Sequence, residues 1–142
     1  MKINLVFSPR YKTPLSDFGF DKPFALDRGE LVLKRLSEDI GAPVPYLEPE
    51  PLTHEQVLLV HSPEYLETLN DAKTWIELFE FRTSEYFPER AVRPLPSIIE
   101  DFKLKGGGTL KACEISLETG LAANLGGGYH HAFPDQGEAI AP

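Results

Sequence analysis

The chain reads as an α/β domain built on a largely parallel sheet. Two short apolar runs with strand character, Ile3-Asn4-Leu5-Val6-Phe7 and Leu121-Ala122-Ala123-Asn124-Leu125, are separated by segments with helical periodicity and helix punctuation. Strands that alternate with helices pair in parallel, because parallel neighbours need a long crossover between them. The second run leads directly into Gly126-Gly127-Gly128-Tyr129-His130-His131. A strand that enters a glycine turn bearing polar groups is how open α/β sheets build their sites.

Ser8-Pro9 closes the first strand, and residues 8–23 form a long connection broken by Pro9, Pro14, Gly19 and Pro23. From Phe24 to Ile40 the pattern is helical, with Leu26, Leu33, Leu36 and Ile40 on one side and Gly41 as the stop. Val44-Pro45-Tyr46-Leu47 reads as a short edge strand, since its proline cannot donate to a central ladder. Thr53-His54-Glu55-Gln56 has capping-box spacing and starts a short helix through Val60. Ser62 caps a second helix with Pro63 in its first turn, carrying Tyr65, Leu66, Leu69 and reaching toward Ile76.

Residues 79–96 are rich in aromatics, arginine and proline and read as irregular. Trp75, Phe79, Phe81, Tyr86 and Phe87 fit either a core or an interface. Ser97 to Leu104 reads as a short helix. Gly106-Gly107-Gly108 reads as a loop before a second helix with Leu110, Cys113, Leu117 and Leu121 at helical spacing, which makes Cys113 a core residue. That glycine cluster lacks both the lysine of a phosphate loop and the spacing of a dinucleotide fingerprint.

The chain has 142 residues, enough for one domain with a real core. Its formal net charge of −8 argues against nucleic acid as a partner, since phosphate binding needs a basic surface. The one cysteine precludes an intramolecular disulfide and fits a reducing, cytoplasmic compartment. The first apolar run is too short for a signal segment or a membrane span, so we expect a soluble protein with no membrane partner.

His130 and His131 are the candidate catalytic residues. Imidazole is the side chain whose ordinary pKa lies near neutrality, which suits proton transfer to and from an amide. Taken without context, an adjacent histidine pair reads as an exposed or hydrogen-bonded pair. The three glycines, which let a ligand approach the backbone, shift the reading toward chemistry.

The segment from Gly107 to Glu138, most specifically around the histidine pair in Gly126-Gly127-Gly128-Tyr129-His130-His131, resembles the histone deacetylase superfamily, most closely its bacterial and class IV-like members. Leu58-Leu59-Val60-His61-Ser62-Pro63-Glu64-Tyr65-Leu66 resembles a second signature of that family, and Phe24-Ala25-Leu26-Asp27-Arg28-Gly29 fits its early helix. The resemblance implies a three-layer arginase/deacetylase-like fold with residues 1–142 as the N-terminal part of a single domain. It implies a zinc-dependent amidohydrolase acting on acetyl-lysine or small acetylated amines. His131 would be the main general base and His130 its electrostatic helper, with Gly126, Gly127 and Gly128 shaping the substrate pocket.

The family's zinc ligands lie downstream of the tandem histidines. The resemblance therefore implies a chain truncated before the zinc site: zinc is expected for full-length members and none in this chain alone. Gly137-Glu138-Ala139-Ile140 departs from the family's Gly-Glu-Gly-Phe pattern, so Ile140 stands where an aromatic substrate-channel residue is expected. His54 and His61 read as structural or exposed, and Asp135 and Glu138 as poor material for a metal site. We expect a chain inactive by itself, and a homo-oligomer, since half a parallel sheet leaves apolar faces and edges to cover. The alternative is a non-catalytic remnant or interaction module.

Overall fold

The computed structural model describes residues 4–21, 27–127 and 132–137. The chain divides into two compact units. One comprises Met1–Thr13, Ala25–Leu52 and Asp101–Gly128, the other Pro14–Phe24, Thr53–Glu100 and Tyr129–Pro142.

The first unit is organised on two parallel strands, β1 (Asn4–Val6) and β2 (Ala122–Asn124), in the register Leu5 to Ala123. On the far side of β1, Leu47 makes a one-residue parallel bridge. Its N–H donates to the Leu5 carbonyl at 2.9 Å and its carbonyl accepts from Phe7 N–H at 3.0 Å. The edge strand expected at 44–47 is thus a single pairing residue, as Pro45 in its middle dictates. β1 is flanked on both sides, and Leu5, Val6 and Phe7 are accordingly buried.

Helix α1 (Arg28–Ile40) ends where Gly41, at φ 74°, turns its N–H back to the Ser37 carbonyl. Leu33 and Leu125 pack on a core of Phe7, Tyr11 and Leu104. Gly29 is buried because the Phe7 ring occupies the place of a side chain. Ile40, expected on the same inward face, is exposed.

The glycine cluster at 106–108 is not a loop. It lies inside one continuous helix that absorbs both helices expected in this stretch. We label it α5 (Ile98–Thr119); α2 to α4 lie in the other unit and are described next. A Cβ on Gly107 would collide with the Glu50 carbonyl, and one on Gly108 with the Tyr11 hydroxyl. These glycines let the segment around Glu50 and the Tyr11 side chain lie directly on the helix backbone. Being inside a helix, the cluster offers no free N–H groups to an anion. The helix buries Leu104, Lys105, Gly107 and Gly108, whereas Leu110, Cys113 and Leu117 are exposed. Cys113 is therefore not a core residue, and the periodicity that suggested so marks the outer face.

In the second unit, Thr53 and Gln56 form the expected capping box at the start of α2 (His54–Leu58). Ser62 Oγ accepts from Tyr65 N–H to cap α3 (Pro63–Thr68). Asp71 then caps a separate helix, α4 (Ala72–Leu78), so Ile76 does not continue α3. The aromatics are a core: Phe20 packs with Phe79, Phe81 and Tyr86, and Trp75 stacks on Phe79 at 5.5 Å. The Trp75 indole N–H donates to the Leu69 carbonyl at 2.7 Å, as a buried indole requires. Residues 79–97 carry only short 3-10 turns. Among the described residues no helix is long and apolar enough to cross a membrane.

Candidate functional site

The glycine turn follows β2 directly. Gly127 has φ 64°, in the left-handed region that favours glycine. Gly126 faces the Tyr11 ring so closely that a Cβ would lie 2.8 Å from its Cγ. Tyr11 comes from the 3-10 turn Pro9–Tyr11 that follows β1, capped by Ser8 Oγ. The two strands thus deliver Tyr11 and the glycine turn to the same end of the sheet, the carboxyl ends of parallel strands.

Asn124, the last residue of β2, joins these parts. Its Oδ1 accepts from the Tyr11 hydroxyl at 2.9 Å and from Gly126 N–H at 3.2 Å. Its Nδ2 donates to Thr109 Oγ1 at 3.2 Å and to the Lys105 carbonyl at 3.4 Å. Burial pushes the Tyr11 hydroxyl up to about 12, with the Glu48 carboxylate adding to the shift. On the same face of α5, Lys105 donates from Nζ to Thr13 Oγ1 at 2.7 Å. Burial lowers its pKa to about 8, against the opposing pull of Asp101. Nothing in the sequence pattern singled out Tyr11, Asn124 or Lys105. Their only signal was the polar Asn124 within an otherwise apolar strand.

Of the expected site residues, Gly126 and Gly127 are in this turn. Gly128, His130, His131 and Ile140 lie outside the described residues, as does Glu138.

Past the histidine pair, Ala132 and Gly137 form an antiparallel bridge, with Phe133 N–H donating to the Gln136 carbonyl at 3.0 Å. The Pro134 carbonyl accepts from Ser62 N–H at 2.9 Å, and Gly137 lies against Leu78 and the Tyr65 hydroxyl. A cleft of about 590 Å³ lies here, lined by Tyr65, Leu78, Gln136 and the carboxylates Glu77, Glu80 and Asp135. Burial raises the Tyr65 pKa. Despite these carboxylates, no group of three or more His, Cys, Asp or Glu among the described residues is placed to hold a metal ion. His54 is exposed on α2, and His61 packs its ring 5.7 Å from that of Tyr65. The described residues therefore do not by themselves fit a zinc ion, which needs three protein ligands in a catalytic site.

The histone deacetylase domain family matches residues 22–138. Histone deacetylase 2 of Arabidopsis thaliana is 30% identical over 139 residues, which cover 96% of this chain and 35% of the relative. An uncharacterised protein of a Picosynechococcus strain is 28% identical over 141 residues, covering 99% of this chain and 43% of its own length. Among solved structures, the HDA15 HD domain superposes with a TM-score of 0.54 over 95% of this chain and 38% of that one. At 13% identity the last likeness concerns the fold alone. The chain spans well under half the length of these relatives. The family match takes in α1, the capped helices α2 and α3, α5, β2 and the glycine turn in one continuous span: the chain belongs to the histone deacetylase domain family.

Proposed function

We propose that this chain carries the acid/base loop of a deacetylase active site, one that hydrolyses the amide of acetyl-lysine or of small acetylated amines. His131 acts as the main general base and His130 as its electrostatic helper. Gly126 to Gly128 form the pocket floor, and Ile140 stands on the substrate channel. The observation that supports this best is β2 ending in the Gly126–Gly127 turn, two residues before Tyr129 and the histidine pair, inside the family match. An amide hydrolase needs groups that exchange protons near neutrality, which imidazoles do.

Zinc is the cofactor expected of the family by resemblance, and its ligands would have to come from outside the described residues. We read residues 1–142 as the N-terminal part of a single domain, inactive alone and active when the metal-binding part is supplied. The negative charge argues against nucleic acid as a partner, and the lone cysteine fits a cytoplasmic location.

The test is turnover of an acetyl-lysine peptide by the chain with zinc, alone and co-expressed with the C-terminal part of a relative. We expect no turnover alone, and turnover on complementation that His131→Ala lowers at least ~100-fold. Complemented activity indifferent to His131→Ala would defeat the reading. A second reading, an interaction module that self-associates, draws on large apolar side chains left in solvent, such as Leu59 at 84% and Leu117 at 89% exposure.

A further inference from the structure

We propose that the outer face of α5 docks a second copy of this chain, with the two α5 helices packed antiparallel. The proposal rests on the self-association reading given above and names its geometry. Leu110, Cys113 and Leu117 stand at positions i, i+3 and i+7, which share one face of a helix, and all three are exposed. One residue further along, Lys111, Glu114 and Glu118 repeat that spacing and form a charged row down one flank of the leucines. Thr109 and Ser116, at i and i+7, hold the opposite flank and carry no charge. The leucines and both flanks lie within the first unit.

The order of charge along that row selects the occupant. A two-fold interface must be complementary to itself, so that residue i meets j and j meets i. Two helices packed antiparallel about such an axis bring each flank against the same flank of the other copy, with its order reversed. The row reads positive, negative, negative toward the C-terminus. Reversed about an axis beside Glu114, it sets Lys111 opposite Glu118 of the second copy and Glu118 opposite its Lys111, while Leu110 lies over Leu117. Parallel packing would instead lay the charged row against Thr109 and Ser116, which offer no counter-charge. The leucines supply the attraction and the charges supply the orientation. Glu114 meets its own copy near the axis, a like-charge contact that Lys111, with Nζ 3.7 Å from the Glu114 carboxylate on the same helix, eases. A seam this narrow makes a reversible dimer and not a permanent one.

The experiment measures the dimer dissociation constant of the 142-residue chain by sedimentation equilibrium, for wild type, Lys111→Glu, Glu118→Lys and the two combined. Lys111→Glu makes the chain more negative and Glu118→Lys makes it less so, and an effect of net charge alone would move the two constants in opposite directions. Antiparallel pairing predicts that both single substitutions weaken the dimer, each by about tenfold, because each turns two attractive contacts into repulsive ones. The combined exchange restores both pairs with their signs reversed and leaves the net charge as it was. Its dissociation constant should return to within about threefold of wild type. Single substitutions that act in opposite directions or not at all, or a combined exchange no tighter than the weaker single variant, would overturn the antiparallel geometry and leave self-association standing. A chain that stays monomeric at every concentration would defeat the self-association reading and this proposal with it. Circular dichroism checks that each variant is folded. If one single variant is not, the other and the combined exchange decide the matter by the same criterion.

Discussion

Lys105 brings its ammonium to Thr13 at 7% exposure, and Tyr11 keeps its hydroxyl at 8% exposure beside Asn124. Burial disfavours the charged form of each, which moves the two pKa values in opposite directions. Lys105 titrates at about 8 when folded and at its ordinary 10.5 when unfolded, so between those values the unfolded chain holds more protons. Stability rises with pH wherever the unfolded state binds more protons, so Lys105 adds stability as pH climbs from 8 to 10.5. Tyr11 titrates at about 12 when folded and at 10.0 when unfolded, so above pH 10 the folded chain holds the extra proton and stability falls. These groups contribute a rise in stability from pH 8 to about 10 and a fall above it, the fall shared by Tyr65, whose pKa burial also raises. Urea unfolding across pH 7 to 12 reads this, and Lys105→Met should remove the rise between 8 and 10 while leaving the later fall. A Lys105→Met variant that keeps the full rise would show that the lysine is not its source.

At the scale of the element, α5 shows where local reading and structure part. Each interior glycine costs a helix about 1 kcal/mol relative to alanine, and three in a row read as a break. The helix persists because tertiary contact outweighs propensity: Leu52 N–H donates to the Lys103 carbonyl at 3.0 Å, and Glu50 and Tyr11 occupy the space that the missing side chains leave. The same reasoning separates the glycines from one another. A Cβ on Gly106 meets only Leu52, 2.7 Å from a mobile methyl tip, whereas one on Gly107 meets the Glu50 carbonyl, which is backbone. Gly107→Ala should therefore destabilise by about 1–3 kcal/mol, the usual cost of overpacking. Gly106→Ala should be within ~1 kcal/mol of wild type, as the gain in propensity offsets a side-chain shift. Chemical denaturation of the two variants checks this; equal effects would mean that space along the helix is not what selects glycine. Elements with punctuation of their own were legible in the sequence. The Thr53–Gln56 box, Ser62-Pro63 and Gly41 each act within a few residues, so local chemistry suffices to place them. The reason for Gly107 lies some fifty-seven residues away at Glu50, and no window along the chain contains it.

At the scale of the whole molecule, the site was legible only as a motif. The glycine turn and histidine pair stand in the sequence, but the clamp of Tyr11, Asn124 and α5 joins residues up to 113 positions apart and depends on parallel pairing of β1 with β2. The outer face of α5 carries the same logic one level higher. Leu110, Cys113 and Leu117 repeat at helical spacing, a pattern that ordinarily faces a core, yet Leu117 is 89% exposed and Leu110 39%. Burying a leucine contributes about 1.5–3 kcal/mol, so a stripe of this kind favours association once a complementary surface is present. We predict that the chain self-associates and that this stripe takes part. Sedimentation velocity from micromolar to submillimolar concentration should show the weight-average coefficient rising. Leu110→Glu with Leu117→Glu should then weaken association at least ~10-fold, since each substitution places a charge where apolar contact is needed. A constant coefficient at the monomer value would refute self-association. A concentration-dependent one that the double substitution leaves unchanged would move the interface off α5, toward the exposed Leu59 and Val60 that follow α2.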